Sequence, residues 1–270
     1  MIRIDDYEQL KTRIVNWIKD YYWKYNIKAL VVGVSGGIDS AVTSTLCART
    51  GLPTYVLTMP LHSSEENTEL SDAHAYALVE KYSNVTLVNV DLTETYDKFM
   101  FWVDDSFTGN DLANANTKAR LRMVSLYQVA GSVGGIVVGT GNKVEDYGVG
   151  FFTKYGDGGV DISPIADLYK TQVWELGKHM GVDERIINAV PTDGLWEDNR
   201  KDEDQLGVPY ADLEWVMESG IADNPTYDPV DLDQWKGVTL TDVQKKAVKQ
   251  YVKFNTMNKH KMQPIPTFKL

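Results

Sequence analysis

The densest chemistry in this 270-residue chain is Ser35-Gly36-Gly37-Ile38-Asp39-Ser40, which directly follows the apolar run ALVVGV (29–34). A buried strand, two glycines and then a helix make a backbone trap for anions. The glycines let the chain turn tightly and bring N–H groups close to phosphate oxygens. The helix start adds unpaired N–H groups and the positive end of its dipole. Ser35 and Ser40 contribute hydroxyl donors. Lysine is absent from the loop, so it is not a GxxxxGKS/T loop, and its glycines do not have GxGxxG spacing either. Asp39 is the informative residue, because a carboxylate beside phosphate is repulsive unless a cation sits between them. That argues for Mg²⁺ with Asp39 as a ligand; the plainer reading is a tight turn with Asp39 capping the helix.

Elements that position this loop can be read around it. Leu10, Ile14, Trp17, Ile18 and Tyr21 recur at helical spacing between about Asp6 and Tyr25. Strands are expected at 29–34, 53–59, 84–92 and 134–140, with helices between them: one from about Asp39 to before Gly51, one to about Tyr82 with Ser63 and Glu66 as a capping box, one at roughly 92–103, and a long one at 111–130. Strands alternating with helices predict an α/β fold, a doubly wound, mostly parallel sheet with helices on both faces. Ligands in such sheets sit beyond the carboxyl ends of the strands, where the loops at 33–41 and 139–146 both open. Further on, 151–164 is a Gly- and Asp-rich loop, 169–180 a helix, 191–210 a polar mobile loop or lid, and helices follow near 210–219 and 240–256. The tail PIPTFKL (264–270) is too rich in proline for helix.

The formal net charge is −11, which weighs against general nucleic-acid or anionic-membrane binding. Any polyanion must be met by local cations, a metal ion or backbone N–H groups. Cys47 is the only cysteine, so an intrachain disulfide and a zinc–cysteine cluster are excluded, and its setting between Leu46 and Ala48 reads as a buried, inert thiol. The N-terminus does not read as a signal peptide, and no run reaches the length of a membrane span, so a cytoplasmic location is expected. The chain reads as one domain, 1–270.

Two stretches carry a family resemblance. Ser35 to Ser40 resembles the SGGxDS/T loop of the N-type ATP pyrophosphatases, enzymes of an adenine nucleotide alpha hydrolase-like, Rossmann-like fold that cleave ATP between its α and β phosphates. Gly150-Phe151-Phe152-Thr153-Lys154-Tyr155-Gly156-Asp157-Gly158-Gly159 resembles the GFFTKYGDGG segment of the NAD synthetases within that superfamily. The likeness continues through Lys118-Ala119-Arg120, Thr140, Asp161, Lys170, Pro191-Thr192 and His260-Lys261.

The resemblance implies an ammonia-dependent ligase. Deamido-NAD, ATP and ammonia would give NAD, AMP and pyrophosphate through an adenylated intermediate, the final step of NAD biosynthesis. It implies that Gly33, Val34, Ser35, Gly36, Gly37, Ile38, Asp39 and Ser40, with Thr140, Lys170 and Thr192, contact ATP. Asp39 and Glu145 would share Mg²⁺. Arg120, Phe151, Lys154, Asp161, His260 and Lys261 would contact deamido-NAD. Asp39, Asp157 and Lys170 would carry the chemistry, with Asp157 at the ammonia site. It also implies a homodimer, with Met123, Leu126 and Tyr127 on the long helix as a contact surface, although a packed internal helix would look the same. No room is left for a glutaminase domain, so ammonia is free or delivered by another protein. Many family members read Asp-His-Ala-Ala-Glu after the threonine; this chain reads Gly141-Asn142-Lys143-Val144-Glu145, and its stretch to Phe151 is one residue longer. Competing readings are a different acceptor for the same ATP chemistry, such as a tRNA base or purine nucleotide, and a nucleotide sensor without catalysis.

Overall fold

The apolar run at 30–34 forms strand β1 (Leu30–Val34), buried on both faces because helices cover the sheet on either side. The computed structural model describes residues 4–192, 194–195, 200–222, 234–235 and 238–269. Around β1 the order is α1 (Tyr7–Lys24), α2 (Ile38–Arg49), β2 (Thr54–Thr58), α3 (Glu65–Lys81), β3 (Val85–Asn89), α4 (Thr93–Trp102), α5 (Asp105–Thr108), α6 (Asp111–Val133) and β4 (Ile136–Val137). A π-helical turn (Val144–Val149) follows, then α7 (Lys170–Met180), α8 (Glu184–Asn188), α9 (Asp202–Leu206), α10 (Tyr210–Ser219), β5 (Gln234–Trp235), β6 (Val238–Thr239) and α11 (Asp242–Met262).

The main sheet has the order β3-β2-β1-β4, and every pairing is parallel. The order of strand addition reverses between β1 and β4, with β2 and β3 laid to one side of β1 and β4 to the other, the place where such folds bind ligands. Alternation along β1 sorts the side chains: Leu30, Val32 and Val34 pack with α1, α2 and α7, whereas Val31 packs with α4 and α6 on the opposite face. A third cluster joins the π-helical turn to α10 and α11 through Val144, Val149, Leu213, Val216 and Val248. That cluster seats the C-terminal helices against the loop carrying Glu145.

Several local expectations shift. The cap of α3 is Ser64, whose side chain accepts the Asn67 N–H; Ser63 Oγ instead accepts the Leu61 N–H at 3.3 Å. In α1 the buried positions are Ile14, Ile18 and Tyr22, while Trp17 is turned outward. In α6, Met123 and Leu126 line the cleft, and the Tyr127 hydroxyl, on an exposed residue, donates to Asp161. The last helix runs past its expected end at 256: α11 extends to Met262 and carries His260 and Lys261 in its last turn, while residues 264–269 are non-helical as expected. Within 191–210, residues 193 and 196–199 lie outside the described residues, and the rest contains α9 rather than loop alone.

Candidate active site

Beyond the ends of β1 and β4 lies a cavity of about 300 Å³. Its floor is the phosphate-loop candidate. Gly36 takes φ +83°, and a Cβ there would lie 2.9 Å from the Asn67 carbonyl oxygen and 3.1 Å from Leu70 Cβ, so only glycine fits. Ser35 and Ser40 hydroxyls lie 3.1 Å apart, and the Ser35 N–H donates to Ser40 Oγ, also at 3.1 Å. Helix α2 has Gly37 as its N-cap, with no side-chain cap. Asp39 therefore does not cap the helix, and the first-turn N–H groups are left for an anion.

At the mouth of this loop, a lysine holds two carboxylates. Lys170 Nζ donates to Asp39 Oδ2 at 2.5 Å and to Glu145 Oε1 at 3.0 Å, with its side chain only 3% exposed. Burial alone would lower the lysine pKa, but Asp39 and Glu145 outweigh it and raise it, so the ammonium stays charged. Burial raises the pKa of Asp39, more than Lys170 lowers it. Burial also works to raise Glu145, but Lys170 and the Tyr210 hydroxyl prevail, and its pKa is lowered. Asn142, fully buried, links the pair: its amide donates to Asp39 Oδ1 at 3.3 Å, and its oxygen accepts the Val144 and Glu145 N–H groups.

The stretch before Phe151 contains a π-helical turn, Val144–Val149. A π-helical turn absorbs one residue that an α-helix would not, and such turns recur at functional sites. Here the turn carries Glu145 and ends at Gly150, whose N–H donates to the Glu145 carbonyl. Asp146, which the sequence reading passed over, also lines the cavity, and burial raises its carboxyl pKa well above the usual range.

The GFFTKYGDGG segment forms the opposite wall, where Phe151, Gly156, Asp157 and Gly159 line the cavity. Asp157 Oδ1 accepts the Thr153 N–H at 2.9 Å. The residue as a whole is exposed at the rim, yet crowding of its carboxyl by the cleft wall pushes the pKa up to about 6, against the lowering effect of its backbone hydrogen bonds. A raised carboxyl pKa means that the folded chain holds this proton more tightly than the unfolded chain. Stability from this group is therefore present at low pH and lost as pH rises from the usual Asp value, near 4, through about 6. Asp157→Asn removes that loss. The variant's melting temperature relative to the parent is expected to rise between pH 4.5 and pH 7, read by calorimetry at both values; an equal offset at the two would contradict the shift.

All eight residues from Gly33 to Ser40, with Thr140, Glu145, Phe151, Asp157, Lys170 and Thr192, border this one cavity. Arg120, Lys154, His260 and Lys261 form a separate group at its rim. Arg120 donates to the Lys154 carbonyl, Lys154 Nζ to the His260 carbonyl at 3.4 Å, and Lys261 Nζ to the Phe152 carbonyl at 2.7 Å. Asp161 is not brought to the cavity: its two oxygens accept the Tyr127 hydroxyl at 3.0 Å and the Val137 N–H at 2.7 Å. Cys47 is buried, and burial pushes its thiol up to about 12, an inert group. His62, His74 and His179 pair with Asp97, Ser44 and Glu8, away from the cavity.

Known proteins resemble this chain in sequence and backbone. The NAD synthase family model matches residues 10–265. The chain is 37% identical over 239 residues to an NH(3)-dependent NAD(+) synthetase of Methanosarcina mazei, covering 87% of this chain and 92% of that protein. It is 36% identical to the corresponding protein of Saccharolobus solfataricus, covering 98% and 90% respectively. Its backbone resembles that of an NMN synthetase from Francisella tularensis, with TM-score 0.82, 30% identity and coverage of 99% and 100%. The chain belongs to the NAD synthase family.

Proposed function

We propose that this cleft carries out the family's reaction, the amidation of deamido-NAD by ammonia at the expense of ATP, releasing AMP and pyrophosphate. The observation that carries it is the convergence of the uncapped Ser35–Ser40 loop, the Lys170-bound carboxylate pair and the Asp157 wall on one cavity. A carboxylate resists amidation because hydroxide is a poor leaving group, so the carboxylate oxygen is first adenylated. The loop N–H groups and Lys170 hold the phosphates as charge moves onto them, Phe151 offers an apolar face to the pyridine ring, and Asp157 holds the incoming nitrogen and accepts its proton.

Asp39 and Glu145 suit Mg²⁺, since both present hard oxygen donors beside the phosphate loop. Among the described residues no group of three or more acidic, histidine or cysteine side chains stands ready to enclose a metal. That matches a cation which keeps water and phosphate oxygens among its ligands and takes only one or two carboxylates from protein. When bound, it would neutralise charge on the polyphosphate.

The deamido-NAD residues outside the cavity, Arg120, Lys154, His260 and Lys261, fit a site completed by a second copy of the chain. A homodimer also accounts for Phe99, Phe101, Trp102, Phe107 and Leu112, large apolar residues left exposed along α4, α5 and the start of α6. We take the chain as a single synthetase domain that works in the cytoplasm on free or delivered ammonia, without nucleic-acid or membrane partners; among the described residues no helix is long and apolar enough to cross a membrane.

The test is NAD formation from deamido-NAD, ATP, Mg²⁺ and ammonium, with AMP and ADP scored separately. NAD with matching AMP is expected, and glutamine in place of ammonium should fail. A second reading, favoured by the backbone likeness to an NMN synthetase, keeps the same chemistry on the mononucleotide acid. Running nicotinate mononucleotide beside deamido-NAD separates the two, because the preferred acceptor shows the higher kcat/KM.

A further inference from the structure

Tyr210 opens α10, far along the chain from Glu145, yet its side chain is 1% exposed and its hydroxyl donates to Glu145 Oε1 at 2.6 Å. Lys170 Nζ donates to that same oxygen at 3.0 Å. Burial first, and the charge of Glu145 second, raise the phenol pKa, so the group remains protonated and the bond runs from phenol to carboxylate. Two donors on Oε1 fix the torsion of the carboxylate and leave Oε2 untaken by either. The ring itself is locked: its centroid lies 5.0 Å from Lys170 Nζ and 6.2 Å from the Trp174 ring, which meets it edge-on. The backbone is held too, since the Tyr210 N–H donates to Glu203 Oε1 at 2.9 Å. The hydroxyl also lies 3.4 Å from Asp202 Oδ2, and the Asp202 N–H donates to the Pro191 carbonyl beside Thr192.

We infer that Tyr210 is a positioning residue for the reaction: with Lys170 it pins Glu145 through Oε1, so that Oε2 is presented to the divalent cation that accompanies ATP. This rests on the reading of Glu145 as a metal carboxylate. Groups that orient metal ligands from behind typically change metal affinity by 10- to 100-fold when removed.

Tyr210→Phe keeps the ring, its edge contact with Trp174 and its contact with Lys170, and loses only the hydroxyl. Mn²⁺ binding, followed by electron paramagnetic resonance with an ATP analogue that cannot be cleaved between its α and β phosphates, is expected to weaken about tenfold. The Mg²⁺ concentration for half-maximal NAD formation should rise in parallel, with the ammonium KM unchanged. A role confined to packing would move the melting temperature and leave the Mn²⁺ affinity alone. Unchanged Mn²⁺ affinity in folded Tyr210→Phe, alongside weakened binding in Glu145→Gln, overturns the role of Tyr210 only. Unchanged affinity in both overturns Glu145 as a metal carboxylate, and the inference with it. Should the Phe variant not fold, 3-fluorotyrosine at position 210 supplies the reading. Its fluorine resonance is expected to broaden with Mn²⁺ and the analogue, and an unaffected signal would count against the placement.

Discussion

Lys170→Ala is expected to lose about 3–5 kcal/mol of stability and nearly all turnover together. The lysine is the shared counter-ion of two carboxylates that stand side by side in the cleft wall, and the substitution leaves them facing each other. Removing one partner from a buried ion pair costs about that much, because the residual charge stays desolvated without compensation. Part of the loss returns when one carboxyl takes up a proton, and Asp39, whose pKa burial already raises, is the one to do so. The variant should therefore be least destabilised at acid pH, where that proton is most easily held. Denaturant unfolding at pH 5 and pH 8 checks this, and a penalty independent of pH would show that the pair is not what Lys170 stabilises. Arginine should not rescue activity, since its planar fork cannot replace a compact ammonium seated 5.0 Å from the Tyr210 ring centroid.

Asp39→Asn separates the two effects. Turnover is expected to fall by more than tenfold, because a ligand for the cation that offsets phosphate charge is gone. Stability should fall much less than in Lys170→Ala. Lys170 keeps Glu145, Asn142 keeps its bonds to the Val144 and Glu145 N–H groups, and one burden of desolvated charge disappears. Steady-state NAD formation beside thermal unfolding reads both quantities. Unchanged turnover would remove Asp39 from the metal site, whereas a stability loss equal to that of Lys170→Ala would mean that the Lys170–Asp39 bond, rather than the whole triad, carries the energy.

What could be read from the chain without a structure was what lies contiguous in it. The phosphate loop occupies six successive residues after a strand, so its place at the strand end and its opening onto the cavity follow from local rules. GFFTKYGDGG is legible for the same reason. Tyr210, Asn142 and Asp202 were not found, because nothing near them in sequence signals a carboxylate brought close by α7, the π-helical turn and α10. Asn142 stood only as a departure from a family pattern, yet it joins Asp39 to the backbone that bears Glu145. The cap of α3 slipped by one residue because Ser63 and Ser64 are equally able to cap, and the choice falls to a tertiary contact: Ser63 is drawn off towards Leu61 and Arg122. The end of α11 was set too early, since its last turns are held by bonds across the chain, from Asn255 to the Gly148 carbonyl and from Asn258 to the Val149 carbonyl.

Those two bonds also give the π-helical turn a rotational meaning. A helix advances by about 100° per residue. The far end of the turn is clamped by α11 through Gly148 and Val149, and its near end by Asn142. One residue fewer between the clamps would turn the far end by roughly that angle relative to Glu145, so that the Gly148 and Val149 carbonyls would no longer meet Asn255 and Asn258. Length at this place is thus a setting of angle rather than of reach. An insertion or deletion between 146 and 149 is neutral only if the clamp from α11 is rebuilt with it, so Asn255, Asn258 and the spacing to Gly150 should vary as one unit.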